Sequence, residues 1–130
     1  MRVRRAALDM AQPLPESFAC ALRGIAHTCA TGRNFKIQLG FAVAAIVLGI
    51  AFSIDVTQWA VISICIGCVL GGECMNTALE SIVDLASPGY HDLAKHAKDC
   101  AAGAVLVCSF GSLFVAAFIF LPKILALLPL

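Results

Sequence analysis

Glu73, Asn76, Glu80 and Asp84 stand at offsets of 0, 3, 7 and 11 in the chain. At 3.6 residues per turn the four share one helix face, within about 60° of each other. Carboxylates and an amide oxygen are hard oxygen donors of the kind that hold Mg²⁺, which takes one or two carboxylates and lets substrate phosphates complete its shell. Lys98 and Asp99 follow further along the chain. A lysine there is a point charge for phosphate oxygens. The combination fits phosphoryl transfer by positioning and electrostatics. It equally fits a solvated helix end with a few ion pairs, and spacing alone does not choose. Neither GxxxxGKS/T nor GxGxxG occurs. A P-loop or protein-kinase nucleotide site is therefore excluded, and any phosphate cradle must come from helix side chains.

The elements that hold these residues follow from composition. Of 130 residues, 61% are apolar and 13% charged. Soluble domains run at roughly 45–50% apolar and about 25% charged. That contrast excludes an ordinary soluble globule and a disordered chain. Nine basic residues nearly cancel eight acidic ones, so there is no basic footprint for nucleic acid. Uncharged runs of 18, 17 and 23 residues cover 37–54, 56–72 and 100–122. A hydrocarbon core of ~30 Å needs about 20 apolar residues as helix. The expectation is an all-α integral membrane protein, one domain over 1–130, with three transmembrane helices. The second run is short, so its helix is expected to continue past Glu73 into water.

Lysine and arginine set the orientation. Arg2, Arg4, Arg5, Arg23, Arg33 and Lys36 precede the first run, Lys95 and Lys98 lie between the second and third, and only Lys123 follows the third. The N-terminus and the 73–99 segment are thus expected in the cytoplasm of a cell membrane, and the C-terminus outside. Asp9, Gln12 and Pro13 interrupt any apolar core of a cleaved signal peptide. Residues 1–14 read as a flexible tail. The PLPES stretch at 13–17 reads as a helix start. Beyond it, Phe18, Leu22, Ile25 and Cys29 form one helical stripe. That stripe suits an N-terminal amphipathic helix lying on the cytoplasmic surface, and also a helix packed only on its neighbours.

Other features carry blander readings. Seven cysteines, an odd count in apolar surroundings, argue against a disulfide framework. Cys65 and Cys68 make a CxxC without a second pair or a nearby histidine, and read as small packing residues. Gly67 and Gly71 form a GxxxG for close helix approach within or between chains. His27 and His96 read as interface or helix-end residues, and Trp59 as an interfacial anchor.

The runs ECMNTALESIVDL (73–85) and SPGYHDLAKHAKDCAAGAVLV (87–107) closely resemble the signature of the prokaryotic diacylglycerol kinase family. NTALE, VDL and the LAK-x-AKD-x-AAGAVL run are nearer to its undecaprenol kinase branch. SFACALRGI (17–25) and RNFKIQL (33–39) resemble the family's SF-x-x-A-x-x-GI and RNFRIH-like elements in order and spacing. The resemblance covers about 17–107. It implies a homotrimer of three-span chains, each with a cytoplasmic surface helix. It implies Mg²⁺- and ATP-dependent phosphorylation of a lipid hydroxyl, undecaprenol or alternatively diacylglycerol. By the same resemblance Glu73 would be the general base, Asn76 a polar neighbour and Glu80 a metal ligand. Lys98 and Asp99 would contact nucleotide, and Tyr90 and His91 would lie on a loop near ATP. Asp84 would be structural.

Two departures stand out. The family's acidic residue before the RN pair, which shares the metal, is Gly32 here, and its basic residue before the SF pair gives way to Pro15-Glu16. A lone carboxylate holds Mg²⁺ less tightly, which leaves a catalytically impaired member as an alternative. Gly32 reads either as a helical position or as a positive-φ turn into the first span. A small multidrug-type transporter is a further class of similar size, but it needs a carboxylate near the bilayer midplane. Every acidic residue here lies at or beyond a run's end.

Overall fold

A computed structural model describes residues 13–127. The tail expected over 1–14 lies outside the described residues except for its last two, and Leu14 already begins a helix. Four helices follow in order: α1 (Leu14–Thr31), α2 (Arg33–Ala51), α3 (Val56–Ala86) and α4 (Asp92–Leu125). No strand occurs among the described residues. The last three helices are long and apolar enough to cross a membrane, the architecture of a multi-pass membrane protein. Thirty-one residues make α3 about 46 Å long at 1.5 Å per residue. It therefore outruns a ~30 Å hydrocarbon core, as the short uncharged run requires.

Pro15 and Glu16 occupy the first turn of α1, where proline lacks only an unused N–H and a carboxylate suits the helix dipole. Phe18, Leu22 and Ile25 stay exposed, while Thr28 is buried. The α1 C-terminus is closed by Thr31, whose hydroxyl donates to the His27 carbonyl at 2.8 Å, and by the Lys36 ammonium, which donates to Ala30 O at 3.1 Å. The Lys36 contact satisfies a carbonyl that the helix end leaves open.

Gly32 alone links α1 to α2, and it is neither helical nor at positive φ. Its backbone is extended (φ −86°, ψ 112°), and its N–H donates to Thr28 O at 2.8 Å. A Cβ there would sit 2.8 Å from that same backbone oxygen and 3.4 Å from Phe35 Cβ. Close approach, not conformational freedom, calls for glycine at this junction.

The α2 helix starts and stops earlier than the uncharged run at 37–54. Phe52 N–H still donates to Leu48 O, but Ser53 takes φ 47° and Ile54 N–H folds back onto Gly49 O at 3.1 Å. Asp55 and Gln58 then form a reciprocal capping box that starts α3. Ile54, Ile62 and Phe120 make a buried cluster at this turn, joined by the half-buried Leu48, Trp59 and Ile66. Trp59 packs over Gly49, where a Cβ would come within 2.7 Å of the indole ring, so its ring serves packing within the chain. Gly67 and Gly71 face open space, with nothing within 4 Å of an added Cβ; they make no close helix contact within this chain. No disulfide joins the seven cysteines. Large apolar side chains along α2, α3 and α4 remain exposed, among them Phe41, Ile64, Leu106, Phe114 and Phe118. In water such faces would be untenable; lipid or other chains must cover them.

Candidate active site

The long α3 pairs extensively with α4, and α2 lies against α3. Between these three helices runs a groove of about 460 Å³. Phe41, Ile62, Ile66, Val69 and Leu113 give it an apolar lining, and Gln38, Glu73, Asn76, Glu80 and Ser109 a polar one. Glu73 stands seventeen residues beyond the start of α3, about 26 Å along the axis at 1.5 Å per residue. That is near the far boundary of a ~30 Å core. Glu73 is 4% exposed.

Three helices contribute to its setting. Gln38 on α2 donates from Nε2 to Glu73 Oε1 at 2.9 Å, and the same nitrogen lies 3.5 Å from Ser109 Oγ on α4. One turn further along α3, Asn76 Nδ2 donates to Glu80 Oε1 at 3.1 Å. The two amide oxygens, Gln38 Oε1 and Asn76 Oδ1, are buried without a hydrogen-bond partner. An unsatisfied buried polar group costs about 1–3 kcal/mol. Both residues line the same groove.

A second cavity of about 300 Å³ opens beside the α3–α4 loop. Asp84, Tyr90, His91, Lys95, Lys98 and Asp99 line it. Lys98 forms an ion pair with Asp84, so the two lysines nearest the loop and two carboxylates share this space. His91 caps α4, its Nδ1 accepting from Leu93 N–H at 3.2 Å. The Tyr90 hydroxyl donates to Asp92 Oδ1 at 2.8 Å, and the carboxylate raises the phenol's pKa by holding its proton. Tyr90 is otherwise exposed.

Of the residues singled out in the sequence, Glu73, Asn76 and Glu80 share the groove, while Tyr90, His91, Lys98 and Asp99 share the second cavity. Asp84 shares the helical face with Glu73 by spacing, yet it lines the second cavity and not the groove. Gln38, Asn34, Ser109 and Ser112 were not singled out, although all four line the groove. Their signal was present: Gln38 is the only amide in the uncharged run 37–54, and a polar group at membrane depth needs a reason.

The described residues hold no group of three or more histidine, cysteine or acidic side chains suited to a metal. What the groove offers is sparser: the Glu80 carboxylate beside the unpartnered Asn76 Oδ1. These are hard oxygen donors of the number Mg²⁺ uses when phosphates supply the rest, so the donor set fits that ion.

Residues 19–120 match the model of the prokaryotic diacylglycerol kinase family. The undecaprenol kinase of Bacillus subtilis is 41% identical over 109 residues, which cover 84% of this chain and 89% of that protein. The diacylglycerol kinase of a Synechocystis species is 39% identical over 127 residues, 97% of this chain and 73% of that protein.

Proposed function

The chain belongs to the prokaryotic diacylglycerol kinase family, a family of lipid kinases, and we propose that it transfers the γ-phosphoryl group of ATP to undecaprenol. The observation that carries this reading is the buried carboxylate of Glu73 set among the polar residues of an otherwise apolar groove. A membrane alcohol lying with its tail along the groove brings its hydroxyl to that level. Similarity to an undecaprenol kinase over most of both chains supports the long isoprenoid as substrate. Diacylglycerol is the second reading, supported by the 39% identical relative.

In the reaction Glu73 accepts the proton of the lipid hydroxyl. The hydroxyl oxygen bonds to the γ-phosphorus as the bond from that phosphorus to the β–γ bridging oxygen breaks, and ADP leaves with the electron pair. Oε1 of Glu73 already accepts from Gln38, which leaves Oε2 for the proton. Glu80 and Asn76 Oδ1 would hold Mg²⁺, which neutralises phosphate charge when bound. Lys98 in the second cavity would hold nucleotide phosphate as a point charge, with Asp99, Tyr90 and His91 lining the rest of the nucleotide's seat. His91 keeps Nε2 for a ligand because only Nδ1 is used in capping. The Asp84–Lys98 pair fixes where that charge stands.

By the excess of lysine and arginine before α2 and between α3 and α4, the N-terminus and the α3–α4 loop face the cytoplasm, where ATP is, and the C-terminus lies outside. The exposed Phe18, Leu22 and Ile25 of α1 rest in the cytoplasmic interface. Apolar faces left open on the spanning helices support assembly into a homotrimer. Gly32 removes one carboxylate of the family pattern but leaves the cluster from Glu73 to Asp99 complete, which supports an active enzyme over an impaired one.

The test is phosphate transfer from labelled ATP to undecaprenol and to diacylglycerol, side by side, with purified protein in detergent. Undecaprenyl phosphate should form faster. Faster labelling of diacylglycerol would transfer the assignment to the second reading, and no labelled lipid from either would refute the kinase.

A further inference from the structure

Gln38 reaches the general base from a different helix, α2. It is the only amide in the uncharged run 37–54. Its Nε2 is the only hydrogen-bond donor to the Glu73 carboxylate among the described residues, at 2.9 Å from Oε1, and reaches toward Ser109 Oγ at 3.5 Å. Its own Oε1 is buried with no partner. One side chain on α2 therefore touches functional groups on α3 and α4, and holds an unused acceptor beside them.

A buried carboxylate bound at one oxygen has its orientation fixed. Glu73 has three rotatable bonds before its carboxyl group, and α3 alone does not choose where the two oxygens point. The amide N–H selects Oε1 and so presents Oε2 as the basic atom. We propose that Gln38 is a positioning residue for the reaction: it aims Glu73 Oε2 at the lipid hydroxyl. This rests on the reading of Glu73 as general base. Bond-making in the transfer is unchanged; Gln38 neither gains nor loses a proton. A general base swung away from its proton loses the benefit of orientation, which is worth about 10²-fold for a misplacement of about 1 Å.

The experiment compares wild type, Gln38→Met, Gln38→His, Glu73→Gln and the double variant Gln38→Met/Glu73→Gln. It measures kcat, the KM for undecaprenol and for ATP, and melting in one detergent. Methionine keeps the length of the side chain and removes the donor. Histidine restores an N–H of similar reach. In Gln38→Met kcat should fall about 10–100-fold, with the KM for ATP unchanged and melting close to wild type. Gln38→His should recover most of the lost kcat. The double variant should be no slower than Glu73→Gln alone, because residues acting as one unit are not additive. A wild-type kcat in Gln38→Met overturns the proposal. So does an equal further loss in the Glu73→Gln background, which would mark a packing role. Should Gln38→Met melt early, Gln38→His decides: kcat within about tenfold of wild type supports positioning, and a loss as deep as that of Glu73→Gln overturns it. The two readings fail separately. Near-normal turnover in Glu73→Gln refutes the base itself, whereas an inactive Glu73→Gln with a fully active Gln38→Met refutes only the positioning role.

Discussion

Replacing Gly32 with alanine should destabilise the protein, although glycine-to-alanine changes in helical segments usually do the opposite. As a helical position, Gly32 would gain roughly 0.5–1 kcal/mol from a Cβ. The junction reverses the sign. With φ −86° and ψ 112°, the Cβ points at the Thr28 carbonyl oxygen, 2.8 Å away, and at Phe35 Cβ, 3.4 Å away. Thr28 and Phe35 are both buried, at 3% exposure each, and the Thr28 oxygen also accepts the Gly32 N–H. Relief of the clash has to move backbone, so the cost is that of an overpacked core, about 1–3 kcal/mol. Melting of wild type, Gly32→Ala and Gly32→Glu in one detergent measures it. Both variants carry the same Cβ, and both should melt early by similar amounts. Glutamate alone adds the carboxylate of the family pattern, so titrating Mg²⁺ against initial rate should show a lower half-saturating concentration for Gly32→Glu than for Gly32→Ala. Stability at or above wild type in Gly32→Ala would refute the steric reasoning. Equal Mg²⁺ requirements would show that a carboxylate at 32 does not reach the metal.

Glu80→Ala should abolish Mg²⁺-dependent transfer at any attainable metal concentration; recovery at high Mg²⁺ would assign the metal to other ligands. Lys98→Met should raise the KM for ATP about 10–100-fold, the worth of a hydrogen bond to a charged group. Its melting should move little, because the Asp84–Lys98 pair is partly exposed and such pairs contribute about 0–1 kcal/mol. An unchanged KM would remove Lys98 from the nucleotide site. Gly49→Ala should lower stability by about 1–3 kcal/mol through overpacking against the Trp59 ring; calorimetric or fluorescence melting that matches wild type would contradict that packing.

Much of this was legible in the chain. Three uncharged runs announced three long apolar helices, and the shortness of the run at 56–72 announced that α3 passes beyond Glu73. The offsets of Glu73, Asn76 and Glu80 placed them on one face, and the groove gathers them. Periodicity along one helix could go no further, because which neighbour meets which face is a tertiary matter. Asp84 belongs to the same face by spacing but meets Lys98 from α4 instead. Gln38 needed α2 to be set against α3 before its amide could be seen on Glu73. The end of α2 was misjudged by three residues for a local reason: charge marks Asp55, whereas the backbone turns at Ser53, whose positive φ no hydropathy pattern reveals. Gly32 shows the same limit. A glycine in sequence signals either freedom or closeness, and only the 2.8 Å approach to Thr28 O decides.

The most direct test is the initial rate of Glu73→Gln on undecaprenol at saturating ATP and Mg²⁺, with melting and ATP binding measured on the same preparation. Removing a general base costs about 10²–10⁴ in rate. The expected result is a loss on that scale in a protein that melts normally and still binds ATP. Turnover near wild type would contradict the claim that the buried carboxylate in the groove takes the lipid proton.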